Sequence, residues 1–201
     1  MTGKPILVLN AGSGSVSFID PAALAVDGAV EVGEDPRDLV QAGNGWMVFV
    51  SVTGDGSVAM LDTGERRVVR RTAVGRGPGH IYLHPSGEEV WVANDGSGDL
   101  TVLNAVAGEP LATIPVGAGH HKIAFTPDRR WTFATNIVDA TVTAVDAARH
   151  LRSPGEGRSD QEDRPGFEGF EEHGAQGGWG RRDLVQLRAQ DPADAEAGAV
   201  G

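Results

Sequence analysis

The chain has 201 residues, enough for one ordinary domain, and its 40% hydrophobic content is enough to bury a core. A formal charge of −11 argues against nucleic acid, which needs a basic face, and disfavours anionic membrane surfaces. The absence of cysteine excludes disulfides, thiolate metal sites and cysteine nucleophiles. Met1-Thr2-Gly3-Lys4-Pro5 leads straight into an apolar run, with no basic segment followed by a long apolar stretch. Neither a signal peptide nor a transmembrane helix is therefore expected, and no membrane insertion. The expected compartment of the chain as encoded is the cytoplasm, with the periplasm or exterior as the alternative for a longer native N-terminus.

Ile6-Leu7-Val8-Leu9-Asn10 is a short β-rich run and predicts a strand. Gly12-Ser13-Gly14 supplies hairpin-turn chemistry, and Val16-Ser17-Phe18-Ile19-Asp20 reads as the second strand. A third, more polar strand ends in Val32-Gly33, and after a corner at Pro36-Arg37-Asp38 a fourth begins, Asp38-Leu39-Val40-Gln41. The same parts then return. Val48–Val52, Val90–Asn94 and Thr132–Asn136 repeat the first strand; Val58–Asp62, Leu100–Asn104 and Val142–Asp146 repeat the second. Arg71–Gly75 and Ala112–Gly117 repeat the third, where Pro115 predicts an edge position because it cannot donate to a ladder. His80–Leu83 and Lys122–Phe125 repeat the fourth.

The spacing is 42 residues without an insertion: Asp20, Asp62, Asn104 and Asp146, the Val-Gly pairs at 32, 74 and 116, and Leu39, Ile81 and Ile123 all keep it. A fixed period of this size marks an array of identical supersecondary units. No segment of 1–146 carries a helical apolar stripe, so the expected class is all-β. Four antiparallel strands per ~40–45 residues is the blade of a β-propeller. Ala93-Asn94, Leu100-Thr101-Val102-Leu103-Asn104, Thr113-Ile114-Pro115-Val116-Gly117 and Ile123-Ala124-Phe125-Thr126-Pro127-Asp128 together resemble the YVTN-type propeller repeat. The resemblance covers residues 5–147. It implies propeller blades, of which these residues hold about three and a half, an incomplete ring; residues 148–201 read as a low-complexity tail.

The period projects a Val-Gly pair onto 158–159, where the chain has Arg158-Ser159. The run that follows, crowded with Glu, Asp, Arg and Gly, predicts disorder, and Arg182–Ala189 predicts two turns of marginal helix. Counted along the blades, the strands number three, four, four and three. Such an arc leaves strand edges unpaired, which soluble proteins normally avoid. Three readings answer this: a fragment of a longer propeller, a homodimer closing two half-rings into about seven blades, or a tail strand closing a small four-bladed ring.

The corners entering each inner strand lie at one rim of the channel. Asp38, His80 and Lys122 are equivalent there, as are Arg37, Gly79 and His121. Convergence of adjacent blades would gather Asp38, His80, His120, His121 and Lys122 as a ligand-binding rim. Imidazole with carboxylate ligates divalent metals, and one His is an axial ligand to haem. Against this, polar side chains at a solvated rim need no ligand. The cofactor expectation is therefore none, with haem or a divalent metal as the alternative. His84 is expected to serve its turn, Asp20, Asp62, Asn104 and Asp146 the loop after each strand, Asn94 and Asn136 their turns, and Trp91 and Phe133, equivalent to Phe49 and Leu7, the packing between blades.

The expected function is a non-enzymatic binding or scaffold module presenting its rim to a protein or small molecule. Two alternatives come from resemblance. Gly79-His80-Ile81-Tyr82-Leu83-His84-Pro85-Ser86-Gly87 with Val90–Asn94 resembles a stretch of propeller lactonases, although their longer insertions between blades are missing here. The His-containing corners are also similar to haem d1-binding propellers.

Overall fold

The computed structural model describes residues 4–43, 45–119 and 122–147, together with strands Phe170–His173 and Leu184–Ala189. Strands β1 (Ile6–Asn10), β2 (Ser15–Asp20) and β3 (Ala25–Glu31) form blade 1. Blade 2 is β4 (Pro36–Gln41), β5 (Met47–Val52), β6 (Ser57–Asp62) and β7 (Arg67–Ala73). Blade 3 is β8 (Pro78–Leu83), β9 (Glu89–Asn94), β10 (Asp99–Asn104) and β11 (Pro110–Pro115). Blade 4 starts with β12 (Ile123–Phe125), β13 (Trp131–Asn136) and β14 (Thr141–Asp146). It continues with tail strands β15 (Phe170–His173) and β16 (Leu184–Ala189), in the order β12-β13-β14-β16-β15.

Pairing is antiparallel throughout, and blades 2 and 3 are plain meanders. The result is an incomplete propeller. Pro115 lies on β11, the outermost strand of its sheet, where its missing N–H removes nothing from a ladder. Among the described residues no helix is long and apolar enough to cross a membrane.

Two expectations are corrected. The third strand of each unit starts earlier than its Val-Gly pair suggests and ends before it; Val32, Val74 and Val116 instead donate their N–H to Gly14, Gly56 and Gly98 across the blade. Leu184–Ala189 is a strand rather than a helix, paired with β14 through Val142↔Leu187, Thr143↔Gln186, Ala144↔Val185 and Val145↔Leu184. An available edge outweighs the weak helical preference of a short segment. The remainder of the tail lies outside the described residues.

The core is divided among the seams between blades. Val16 and Phe18 of blade 1 pack with Val48, Val50 and Leu61 of blade 2. Phe49, Val58 and Met60 then meet Val90, Val92 and Leu103 of blade 3, and Trp91, Leu100 and Val102 meet Ile123, Ala134 and Val145 of blade 4. Alternate residues of each strand thus serve opposite seams, which is why the inner runs are apolar on both faces. Phe49 and Trp91 are fully buried, as expected, each contributing about 1.5–3 kcal/mol by removal from water.

The Val-Gly glycines sit where each blade touches the next. A Cβ on Gly75 would lie 2.7 Å from Asn94 Cβ, and one on Gly117 would lie 2.7 Å from Asn136 Cγ. Asn94 Nδ2 in turn donates to Asp99 Oδ1 (2.6 Å) and Thr101 Oγ1 (2.8 Å), and Asn136 Nδ2 to Thr141 Oγ1 (2.9 Å) and Thr143 Oγ1 (2.8 Å). These asparagines therefore brace the hairpin through side chains of the opposite strand and support the glycine seam, a role beyond the turn itself. Asp62 Oδ1 accepts from Gly64 and Glu65 N–H (2.8 and 2.9 Å), and Asn104 Oδ1 from Val106 and Ala107 N–H (2.9 and 2.8 Å), as Asx turns do.

Candidate functional site at the channel rim

The corner between blades 2 and 3 brings together two of the expected rim residues. Asp38 and His80 open the inner strands β4 and β8, and the 42-residue period places them side by side. His80 Nδ1 lies 3.3 Å from Asp38 Oδ2, which also accepts the Ile81 N–H at 3.2 Å. Asp38 Oδ1 accepts the Leu39 N–H at 2.9 Å. The carboxylate therefore spans two blades, tied to the backbone of both.

Ser51 supports this arrangement from below. Its Oγ accepts the Asp38 N–H at 3.1 Å and donates to Gly79 O at 2.5 Å, one residue before His80. Thr53 Oγ1 donates to Pro78 O at 2.7 Å, a second hydroxyl clamp on the same corner. Both groups keep a wet face, with 23% of the His80 side chain and 36% of the Asp38 side chain exposed. An exposed pair of this kind contributes little to stability, about 0–1 kcal/mol. Its geometry is set by the backbone bonds.

Tyr82 adds a phenol to the same strand, two residues beyond His80, with ring centroids 6.3 Å apart. Burial pushes its pKa above the ordinary tyrosine value; the Ile123 N–H on the phenolic oxygen works against this, and the Asp38 and Asp95 charges reinforce it. Sequence reading missed Tyr82 and Ser51. Each carries a signal in the period: Tyr82 shares the face of His80 at i+2, and Ser51 and Thr135 place hydroxyls at equivalent positions. Thr135 Oγ1 likewise accepts the Lys122 N–H at 3.0 Å.

Lys122 is exposed on the following corner. His120 and His121 lie outside the described residues, so the structure brings together Asp38 and His80 from the expected five. Among the described residues, no group of three or more His, Asp or Glu side chains is gathered for a metal ion. His84 serves its turn: Nδ1 lies 2.9 Å from Ser86 Oγ and accepts the Ser86 N–H at 3.2 Å. Its ring also packs on Trp91 and edge-on to Phe125, at 6.3 and 5.0 Å between centroids.

Solved structures similar to this chain are propeller-containing proteins. Kuenenia stuttgartiensis hydrazine synthase superposes with a TM-score of 0.66 at 22% identity, over 73% of this chain and 44% of that one. A putative 6-phosphogluconolactonase from Bacteroides uniformis ATCC 8492 gives 0.61 at 17% identity, over 72% and 47%. The dihydro-heme d1 dehydrogenase NirN, in complex with DHE, gives 0.56 at 17%, over 74% and 35%. At these identities the likeness is one of fold, and the chain spans less than half the length of each. By sequence, no curated protein matches. A family model described as YNCE-like beta-propeller matches residues 39–150, more than half of the chain. The chain belongs to the YNCE-like beta-propeller family.

Proposed function

We propose that the protein is a binding module that engages a small polar ligand or a partner loop at the channel rim, through Asp38, His80 and Tyr82. The observation that supports this reading is the Asp38–His80 pair, held across two blades by main-chain bonds and still open to solvent. A surface polar pair that contributes little to stability is free to serve recognition. His120, His121 and Lys122 extend the proposed rim toward blade 4.

The lactonase-type and haem-related neighbours define the probes. The test is chemical-shift mapping of the histidine side chains during titration with 6-phosphogluconate, haem and zinc chloride separately, on wild type and on His80→Ala. Saturable binding of one probe that perturbs His80, is weakened at least tenfold by His80→Ala and comes without turnover supports the module. Hydrolysis of 6-phosphogluconolactone abolished by His80→Ala would replace this reading with an enzymatic one. Probe binding indifferent to both His80→Ala and Asp38→Asn would remove the rim from consideration.

A further inference from the structure

Among the described residues, blade 1 differs from the blades that follow it in two respects. The first is an uncovered face. Ile6 and Val8 are 50% and 38% exposed, whereas Val48 and Val50, their equivalents in blade 2, are wholly buried, as are Val90 and Val92 in blade 3. Those equivalents are buried against the preceding blade. Ile19, opposite Ile6 in the β1–β2 register, and the exposed Val26, opposite Ile19, extend the apolar row across the sheet.

The second is the inner strand. Blades 2, 3 and 4 have β4, β8 and β12 on the channel side, while among the described residues β1 is paired with β2 alone. The missing strand has a candidate in the tail. Arg182-Asp183-Leu184-Val185-Gln186 repeats, letter for letter, Arg37-Asp38-Leu39-Val40-Gln41, the inner strand of blade 2. Its strand portion lies in β16, following blade 4 in the chain. That is the order seen elsewhere, since β3 leads into β4, β7 into β8 and β11 into β12.

We propose that a second copy of this chain supplies both parts. Blade 4 of one copy packs on the Ile6–Val8–Ile19 face of the other, and its β16 pairs with the open edge of β1, leaving the outer place beside β14 to β15. The junction continues the blade-to-blade seam already repeated three times within the chain. The far side of blade 4 has the matching half: Phe133 and Val142 are half-buried, while their equivalents Phe49, Trp91, Val58 and Leu100 are buried by a following blade. Two identical junctions close a ring by twofold symmetry, giving eight blades from two sets of four, within the usual ~4–8. The Asp38–His80 corner then occurs twice around one channel; the junction itself does not depend on the ligand reading.

Register makes the idea testable. In blade 2, Leu39, Val40 and Gln41 pair with Val50, Phe49 and Val48. Shifted by one period on the β5 side, Leu184, Val185 and Gln186 are placed opposite Val8, Leu7 and Ile6 of the second copy. In the single chain Leu184 lies opposite Val145 instead. The chain has no cysteine, so single variants report cleanly. Val8→Cys and Leu184→Cys proteins, unfolded, mixed, refolded and oxidised, are expected to give a covalent heterodimer of about 42 kDa, twice the 20.9 kDa of one chain. Light scattering on the wild type should give the same mass, and Ile6→Glu/Val8→Glu should give a folded monomer by circular dichroism. A monomeric wild type, open-ended larger assemblies, or cross-linking of Val145→Cys/Leu184→Cys within one chain with no Val8–Leu184 product would each overturn the proposal.

Discussion

Replacing Gly75 by alanine isolates the seam glycine from every other role a glycine plays. Its φ is not in the left-handed region, so an alanine there carries no backbone strain. The difficulty is space: the new Cβ would lie 2.7 Å from Asn94 Cβ and 2.6 Å from Asp99 Oδ1, and would also press on Ser97 Oγ. Ser97 and Asp99 have side chains that turn away, but Asn94 Cβ is fixed to a strand of the next blade and moves only if the seam opens. Overpacking of this kind costs about 1–3 kcal/mol. For a chain of this size that lowers the melting temperature by roughly 2–4 °C per kcal/mol. Gly12 is the control, since it too has no left-handed φ and its Cβ would meet nothing within 4 Å. Gly12→Ala should gain about 0.4–1 kcal/mol by restricting the unfolded chain. Equilibrium urea unfolding of both variants, read by tryptophan fluorescence, gives the two signs. Equal shifts in the two proteins, or a Gly75→Ala variant as stable as wild type, would refute steric closure of the seam as the reason for the repeated glycine.

Trp91→Ala should lose about 3–5 kcal/mol, read by the same denaturation, because the indole is fully buried against Phe125 and His84. Asp20 and Asp128 both have pKa values below the ordinary aspartate value. For Asp20 the causes are the Ala23 and Ala22 N–H donors; for Asp128 they are first the Thr126 hydroxyl and then the Arg130 N–H. A depressed carboxylate stabilises the fold above the unfolded-state value and loses that contribution as pH falls through the folded one. Melting curves from pH 7 down to pH 2.5 should therefore show a shallower acid loss in Asp20→Asn than in wild type, since the amide keeps its acceptor and does not titrate. Tyr82 is the chain's one tyrosine. Its absorbance at 295 nm should titrate above the ordinary value of ~10, and Asp38→Asn should bring the midpoint down. The raised value contributes stability that is full below the unfolded value of ~10 and is lost as pH rises from there through the folded one, so the alkaline loss of stability should be shallower in Tyr82→Phe than in wild type.

Blade architecture was legible because the repeat writes each structural demand several times over. One Phe49 says little; Phe49 and Trp91 at the same place in successive units say that the position faces a neighbouring blade. The same redundancy placed Asp38 and His80 at equivalent positions of adjacent inner strands, and there they lie 3.3 Å apart. What the period could not show was the support beneath the pair. Ser51 holds both strands through one hydroxyl and Thr135 repeats it in blade 4, yet Ala93 stands at the equivalent place in blade 3, so the signal is broken within the repeat. Strand limits were misplaced at the Val-Gly pairs for a related reason. Alternation of side chains continues past the last ladder bond of β3, β7 and β11, while the valine N–H turns to the glycine of a neighbouring hairpin.

The segment Leu184–Ala189 shows where local reading fails on physical grounds. Its leucines, valine, glutamine and arginine sustain either a helix turn or a strand, and six residues are too few for propensity to decide. The choice belongs to whichever unpaired edge offers backbone partners. A single copy offers β14, and two copies also offer β1, where the same five letters already serve as an inner strand in blade 2. Paired with β14, β16 leaves Ile6 and Val8 in water. Paired with β1 of a second copy, it brings blade 4 onto that face, and the exposed apolar row is buried together with the open edge. Burying both by one association is the arrangement that removes the unpaired backbone and the wet apolar surface at once.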